Sequence, residues 1–259
     1  MDYIFIGPGK TGSTWLRDKL KYIKEVSISK NIKETNFFLE NSSNYRNFFD
    51  FFDDSKSIFD IGNTYIYEDD LSSRLKKYPR KFKLIIAYRN TEDRLKSMYY
   101  FDKRSDIIPS NESLSDCLKN DKYGLINKSI ISNRIKKLID DGHSIITWNF
   151  DNFKSNQKEE FELLLKNINC SIEKDLDYEK KINKAASLRF VSLGFMSRPL
   201  ANFLREYKLF RILNFFKENF IIKNILYKNI KFSEEILDKS LLKNLEEEDR
   251  KIRNILMIK

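Results

Sequence analysis

Residues Tyr3 to Leu20 read YIFIGPGKTGSTWLRDKL, and this order limits the fold more than any other stretch. Tyr3 to Ile6 is a short apolar strand, and a helix opens near Thr14. Between them Gly7, Gly9 and Gly12 let the backbone curl until successive N–H groups point into one concavity. The first turn of the helix adds unpaired amides and a partial positive charge. Lys10, Thr11, Ser13 and Thr14 bring a cation and three hydroxyls to the same place. Strand, turn and helix together describe a cradle for a phosphate-like group.

A nucleotide loop of the Walker type has lysine directly after its second glycine. Gly7 and Gly12 have that spacing, but Ser13 stands at the lysine position and the lysine has moved inward to Lys10. Asp60, at the end of another strand, is the residue a kinase or NTPase reading would use for magnesium. A second motif follows the apolar run Lys83 to Tyr88, namely Arg89-Asn90-Thr91-Glu92-Asp93-Arg94-Leu95-Lys96-Ser97. Asn90 is suited to cap a helix with Glu92 and Asp93 in its first turn. Arg94 and Ser97 then share a face. A guanidinium grips phosphate oxygens in pairs, which an ammonium cannot do.

The run Lys10-Thr11-Gly12-Ser13-Thr14-Trp15, with Gly9 before it, resembles the 5′-phosphosulfate loop of the PAPS-dependent sulfotransferases. The resemblance implies that Gly9 to Trp15 bind the cofactor. Arg89 and Ser97 are similarly placed to the family's ligands for its 3′-phosphate, with Arg94 as the intervening arginine. Thr91 departs from the usual helix-opening proline. Lys33-Glu34-Thr35-Asn36-Phe37-Phe38 resembles the KE-x-x-FF segment of glycan sulfotransferases such as the heparan sulfate enzymes. By that likeness Glu34 is the general base and Lys33 holds bridging or sulfonate oxygens, while Lys10 meets charge on the leaving phosphate. Asn183 to Arg189 is loosely similar to a bacterial stretch that closes over the 3′-phosphate end, which adds Lys184 and Arg189. Relatives often have S-P-x-Y where this chain has Gly62-Asn63-Thr64-Tyr65. Asn149-Phe150-Asp151-Asn152 replaces a strand end Y-E-D-L, so any role of that glutamate is lost or passes to Asp151.

Histidine chemistry has little room, since the single histidine, His143, lies in a turn before the strand Ser144 to Trp148. Cys117 and Cys170 have no histidine nearby, and neither a zinc site nor a disulfide framework is expected. The expected cofactor is PAPS, with PAP as product and no metal. A formal net charge of +10 favours anionic ligands. It also permits nucleic acid, but Lys and Arg are spread along the chain without a recognisable nucleic-acid motif.

Strands alternate with helices over the first two-thirds, which predicts a parallel sheet. The expected strands are Tyr3–Ile6, Glu25–Ile28, Ser57–Ile61, Lys83–Tyr88 and Ser144–Trp148. Helices are expected over Thr14–Tyr22, Tyr45–Phe52 and Asp69–Tyr78, around Ile131 to Ile139, around Phe161 to Ile168, and finally after a Ser233 cap. With the resemblance, this implies a P-loop-like three-layer α/β/α sandwich with a central parallel sheet. Residues 1–259 are read as one sulfotransferase domain, with a helical part from about 190 to 259 packing on it or forming a lid. A fold starting at residue 3 and no apolar run near the roughly 20 residues of a membrane span lead to the expectation of a cytoplasmic, bacterial-type enzyme. Peripheral membrane contact through the Phe- and Lys-rich stretch 203–232 stays open. So do the acceptor (glycan, lipid or small molecule, hydroxyl or amine) and the oligomeric state. Rival readings are a P-loop kinase or NTPase, and a non-catalytic PAP- or nucleic-acid-binding protein.

Overall fold

The computed structural model describes residues 2–29, 32–39, 55–78, 80–105, 107–172, 176–178, 186–188, 227–229 and 237–258. Its centre is a sheet of β1 (Asp2–Gly7), β2 (Val26–Ser27), β3 (Ser57–Ile61), β4 (Phe82–Tyr88) and β5 (Ser144–Asn149). The strand order is β2-β3-β1-β4-β5, with every pairing parallel. Register sets Tyr3 opposite Phe59, Ile4 opposite Leu84 and Ile85 opposite Ile146. Strands covered on both faces read as apolar runs, and Ile4, Phe5 and Ile6 are fully buried. Each such side chain contributes about 1.5–3 kcal/mol relative to exposure.

Alternation along the strands divides the core into two layers. Tyr3, Phe5, Phe59, Ile85 and Trp148 face α1 (Ser13–Leu20) and, beyond the short α7 (Phe150–Ser155), α8 (Gln157–Asn167). Ile4, Ile6, Leu84, Ile86 and Tyr88 face the other way, toward α2 (Leu71–Lys77), α6 (Ser132–Asp140) and the C-terminal α9 (Lys239–Leu256). The result is the expected three-layer α/β/α sandwich. A third apolar cluster lies under α3 (Thr91–Arg104), where Leu95 and Tyr99 meet α4 (Leu114–Lys119), α5 (Leu125–Ser129) and Leu245 of α9.

Two expectations change. The last helix is capped by Asp238, whose side chain accepts from Ser240 N–H; Ser233 lies outside the described residues. Tyr227–Asn229, inside the stretch expected to be helical, is a strand β7, paired antiparallel with β6 (Ala186–Leu188). Three residues in a ladder override the apolar pattern around them. The expected helix Tyr45–Phe52 falls outside the described residues.

Candidate active site

The loop between β1 and α1 is built by backbone conformations that its residues dictate. Gly7 (φ 100) and Gly12 (φ 80) are left-handed, and so is Lys10 (φ 69), which costs a non-glycine residue about 1–2 kcal/mol. A Cβ on Gly7 would overlap the carbonyl of Asn63, and one on Gly12 would sit 3.0 Å from the Phe150 ring. Gly12 is the N-cap of α1, without a side-chain cap bond, and the first amide to close the helix is Leu16 N–H on Gly12 O. The amides of Ser13, Thr14 and Trp15 therefore lack helical partners.

The carbonyl side of the loop is fastened from behind. Trp148 Nε1 donates to Thr11 O at 3.0 Å, Thr11 Oγ1 to Pro8 O at 2.7 Å, and Arg89 Nη1 to Lys10 O at 2.7 Å. With these acceptors engaged, the amides are what remains for a ligand. Thr11 and Ser13 are buried, and Thr14 is partly exposed. The indole of Trp15 is not at the surface of the cradle. It is 6% exposed, packs edge-on to Phe153 and Phe161, and donates to Tyr178 O. Trp15 can meet a ligand only through its amide, and its ring anchors α1.

Around the loop the charge is one-sided. Lys10 Nζ lies 4.0 Å from the centre of the Phe101 ring, on α3, and Arg104 stacks on the same ring at 5.3 Å. Ser97, Phe101 and Arg104 follow helical spacing, so one face of α3 runs along the loop. Burial, then Arg104, Arg89 and Lys33, push the Lys10 ammonium down from 10.5 to about 8, and Asp102 offsets only part of this. Arg89 is lowered too, chiefly by burial, against the pull of Asp93 and Asp151. Its guanidinium stacks on Phe150 at 5.1 Å, and its buried Nε has no partner among the described residues. An orphaned guanidinium N–H beside unpaired loop amides and a destabilised ammonium fits an anion with several charges.

Glu34 reaches this site through Asn63. Its Oε1 accepts from Asn63 Nδ2 at 2.6 Å and from Lys33 Nζ at 2.9 Å. Arg17 on α1 steadies the segment ahead of it by bonding Ser29 O and Ile32 O. Behind it, Thr35 Oγ1 donates to Asp60 Oδ1 at 2.9 Å, and Tyr65 OH donates to Asp60 Oδ2 at 3.0 Å. Asp60 also accepts Ile61 N–H. Burial raises the Asp60 carboxyl to about 6. An aspartate enclosed by three donors is poorly placed to ligate magnesium, which weakens the kinase reading of Asp60.

The Arg89 motif divides in two. Asn90 caps α3 as expected, accepting from Asp93 N–H at 3.1 Å. Arg94 faces away from the loop. It is 1% exposed and holds Lys128 O at 2.9 Å and Ser129 O at 2.8 Å, tying α3 to the end of α5. Ser97 is half-buried and lies one helical turn before Phe101, whose ring meets Lys10. Asp151 accepts Asn90 N–H at 2.7 Å and pairs with Lys154 at 2.8 Å, so it supports the turn that carries Arg89. Lys184 and Arg189 lie outside the described residues; the strand Ala186–Leu188 between them runs beside α3. His143 bonds Ser72 at 2.9 Å, in the α2–α6 layer. Phe101 and Arg104 were not singled out in the sequence, and Asn63 and Phe150 were noted there only as departures from the family's pattern. Of these only Arg104, seven after Ser97, carried a local signal.

No group of three or more His, Cys, Asp or Glu side chains suited to a metal occurs among the described residues. None of the helices among them is long and apolar enough to cross a membrane. Residues 1–138 match the sulfotransferase domain family. Among solved structures, a sulfotransferase from Alicyclobacillus acidocaldarius superposes with a TM-score of 0.59 at 16% identity, over 70% of this chain and 86% of that one. Mouse sulfotransferase SULT7A1 complexed with PAP gives 0.40 at 12% identity, over 68% and 60%. No curated protein sequence matches significantly.

Proposed function

The chain belongs to the sulfotransferase family, and from that premise we propose how its own residues serve transfer of a sulfuryl group from PAPS to an acceptor. Residues 1–259 are taken as one domain, because α9 packs into both the sheet-facing and the α3 clusters. The observation that carries the assignment is the convergence of Lys10, Arg89, Arg104 and Lys33 on one glycine loop, where burial and then the neighbouring cations lower Lys10 to about 8.

The amides of Gly9 to Trp15, with the Ser13 and Thr14 hydroxyls, suit the 5′-phosphosulfate, while the buried Thr11 hydroxyl donates to Pro8 O and shapes the loop. Arg89 and Ser97 suit the 3′-phosphate, and Lys184 and Arg189 are proposed to add to that end. Bound PAPS supplies the sulfonate and a phosphate leaving group. Lys10 and the loop amides stabilise negative charge where it grows, in a fixed arrangement that needs no reorganisation. Lys33 is placed beside Glu34 and within electrostatic reach of Lys10, so it can hold sulfonate oxygens. Both contacts of the Glu34 carboxylate among the described residues fall on Oε1. Oε2 is thus the atom to take the proton of an incoming hydroxyl or amine. The acceptor is a small molecule, lipid or glycan.

Calorimetric titration with PAP, ADP and ATP, with and without magnesium, tests the assignment. Tight magnesium-independent binding of PAP, with ADP and ATP far weaker, is expected. Preference for ATP, or a strict magnesium requirement, overturns it.

A further inference from the structure

The turn that carries Arg89 is gripped from outside by two carboxylates on consecutive amides. Asp151 takes Asn90 N–H, as described above. Asp249, on α9, takes Thr91 N–H at 3.0 Å and the Thr91 hydroxyl at 3.2 Å on one oxygen. Its other oxygen takes the Tyr88 hydroxyl at 3.0 Å. Thr91 is fully buried and Asp249 is 8% exposed. Tyr88 ends β4 and Thr91 begins α3, so one carboxylate fixes the residues on both sides of Arg89-Asn90.

We propose that Asp249 is a positioning residue of the cofactor site, acting through Tyr88 and Thr91 to hold Arg89 on its ligand. This rests on the reading that Arg89 meets the 3′-phosphate. Thr91 occupies the first position of α3, where proline is favoured because its fixed φ suits a helix start and its missing N–H is not needed. Threonine lacks that rigidity but offers two donors, and Asp249 receives both. A carboxylate at a helix N-terminus also complements the helix dipole. Holding the turn in place before binding lets Arg89 engage without an ordering cost. The C-terminal helix, beyond the residues that match the family, thereby becomes part of cofactor recognition.

The neighbouring Glu248 is an internal control. It takes Ile131 N–H at 2.8 Å, Ser132 N–H at 2.7 Å and the Ser132 hydroxyl at 2.8 Å, capping α6 as Asp249 caps α3. Both carboxylates stabilise the fold, but only Asp249 flanks Arg89.

The experiment is calorimetric titration of the full chain with PAP and with adenosine 5′-monophosphate, alongside thermal melting. Asp249→Ala should weaken PAP about tenfold, the scale of one lost hydrogen bond to a charged group, and the monophosphate about twofold at most. Asp249→Asn, which keeps the acceptor for Thr91, should retain the parent preference. Glu248→Ala should lower Tm without changing the ratio of the two affinities. If Asp249→Ala does not fold, Thr91→Ala removes one of the three donors and should lower the ratio about threefold. An unchanged ratio in Asp249→Ala, or in Thr91→Ala where that variant stands in for it, or an equal loss in Glu248→Ala, overturns the role of Asp249. A parent that binds both nucleotides alike overturns the assignment of Arg89 instead.

Discussion

Lys10 makes a prediction that can be worked through in proton counts. Its descent from 10.5 to about 8 disfavours the charged form by about 3 kcal/mol. The folded protein therefore releases this proton before the unfolded chain does. Its stability should rise as pH climbs from about 8 toward 10.5, with the burden fully present below 8. A phosphate-bearing ligand adds negative charge beside Lys10, Arg104 and Arg89, which offsets the burial and the neighbouring cations that lower Lys10. At pH 8.5 free Lys10 is only about one-quarter protonated, so binding should take up about 0.7 proton, and affinity should fall roughly thirtyfold between pH 7 and 9.5. Titration of PAP at pH 8.5 in buffers of different ionisation enthalpy reads the uptake directly, because the nucleotide phosphates are already fully ionised there. Lys10→Met should abolish the uptake. Arg104→Gln, which removes the largest charge acting on Lys10, should move the pH midpoint upward. No net uptake by the parent, or the same uptake in Lys10→Met, refutes the reasoning.

Glu34→Gln keeps the bonds to Asn63 and Lys33 but cannot take a proton. Turnover in a labelled sulfate-transfer assay should fall about 10²–10⁴-fold with PAP affinity retained, and near-normal turnover would remove the base assignment. Arg94→Met strips two carbonyls of a charged donor and should destabilise the protein by about 3 kcal/mol in denaturant unfolding, while PAP binding to the folded protein stays close to the parent. Arg89→Ala should show the opposite balance, losing PAP while the midpoint falls by no more than its single bond to Lys10 O and its stacking on Phe150 are worth; equal behaviour of the two variants would mean that the motif was divided wrongly.

The sheet was legible because β1, β3, β4 and β5 carry apolar runs, with β1 ending at Gly7 and β3 just before Gly62, and Ser57–Ile61 was placed to the residue. Helices α4 and α5 passed unread. They have six and five residues, too few to show a 3.6-residue period, and their starts at Ser113 and Gly124 are local capping features. Residues 149–152 were read as a changed strand end, whereas Asn149 accepts from Asp151 and Asn152 amides and opens a helix. In the site, the residues proposed to meet a ligand through backbone or a fixed motif were visible in the sequence. Asn63, Phe101 and Phe150 were not, because each joins the loop only when segments far apart in the chain pack together. Arg94 and Trp15 show the limit of such motifs: a motif letter identifies a residue's neighbours, not the direction in which its side chain points.

The fastening of the loop from behind has a spectroscopic consequence. The chain has two tryptophans, and both belong to that support: Trp15 and Trp148 lie 6.4 Å apart, ring centre to ring centre, with Phe153 against each. Intrinsic indole emission therefore samples one place, the aromatic layer beneath the loop. A melt followed by this light records the release of β1, α1 and β5 from one another. Detachment of α9 would pass unseen, and an optical midpoint agrees with a calorimetric one only if the two events are concerted.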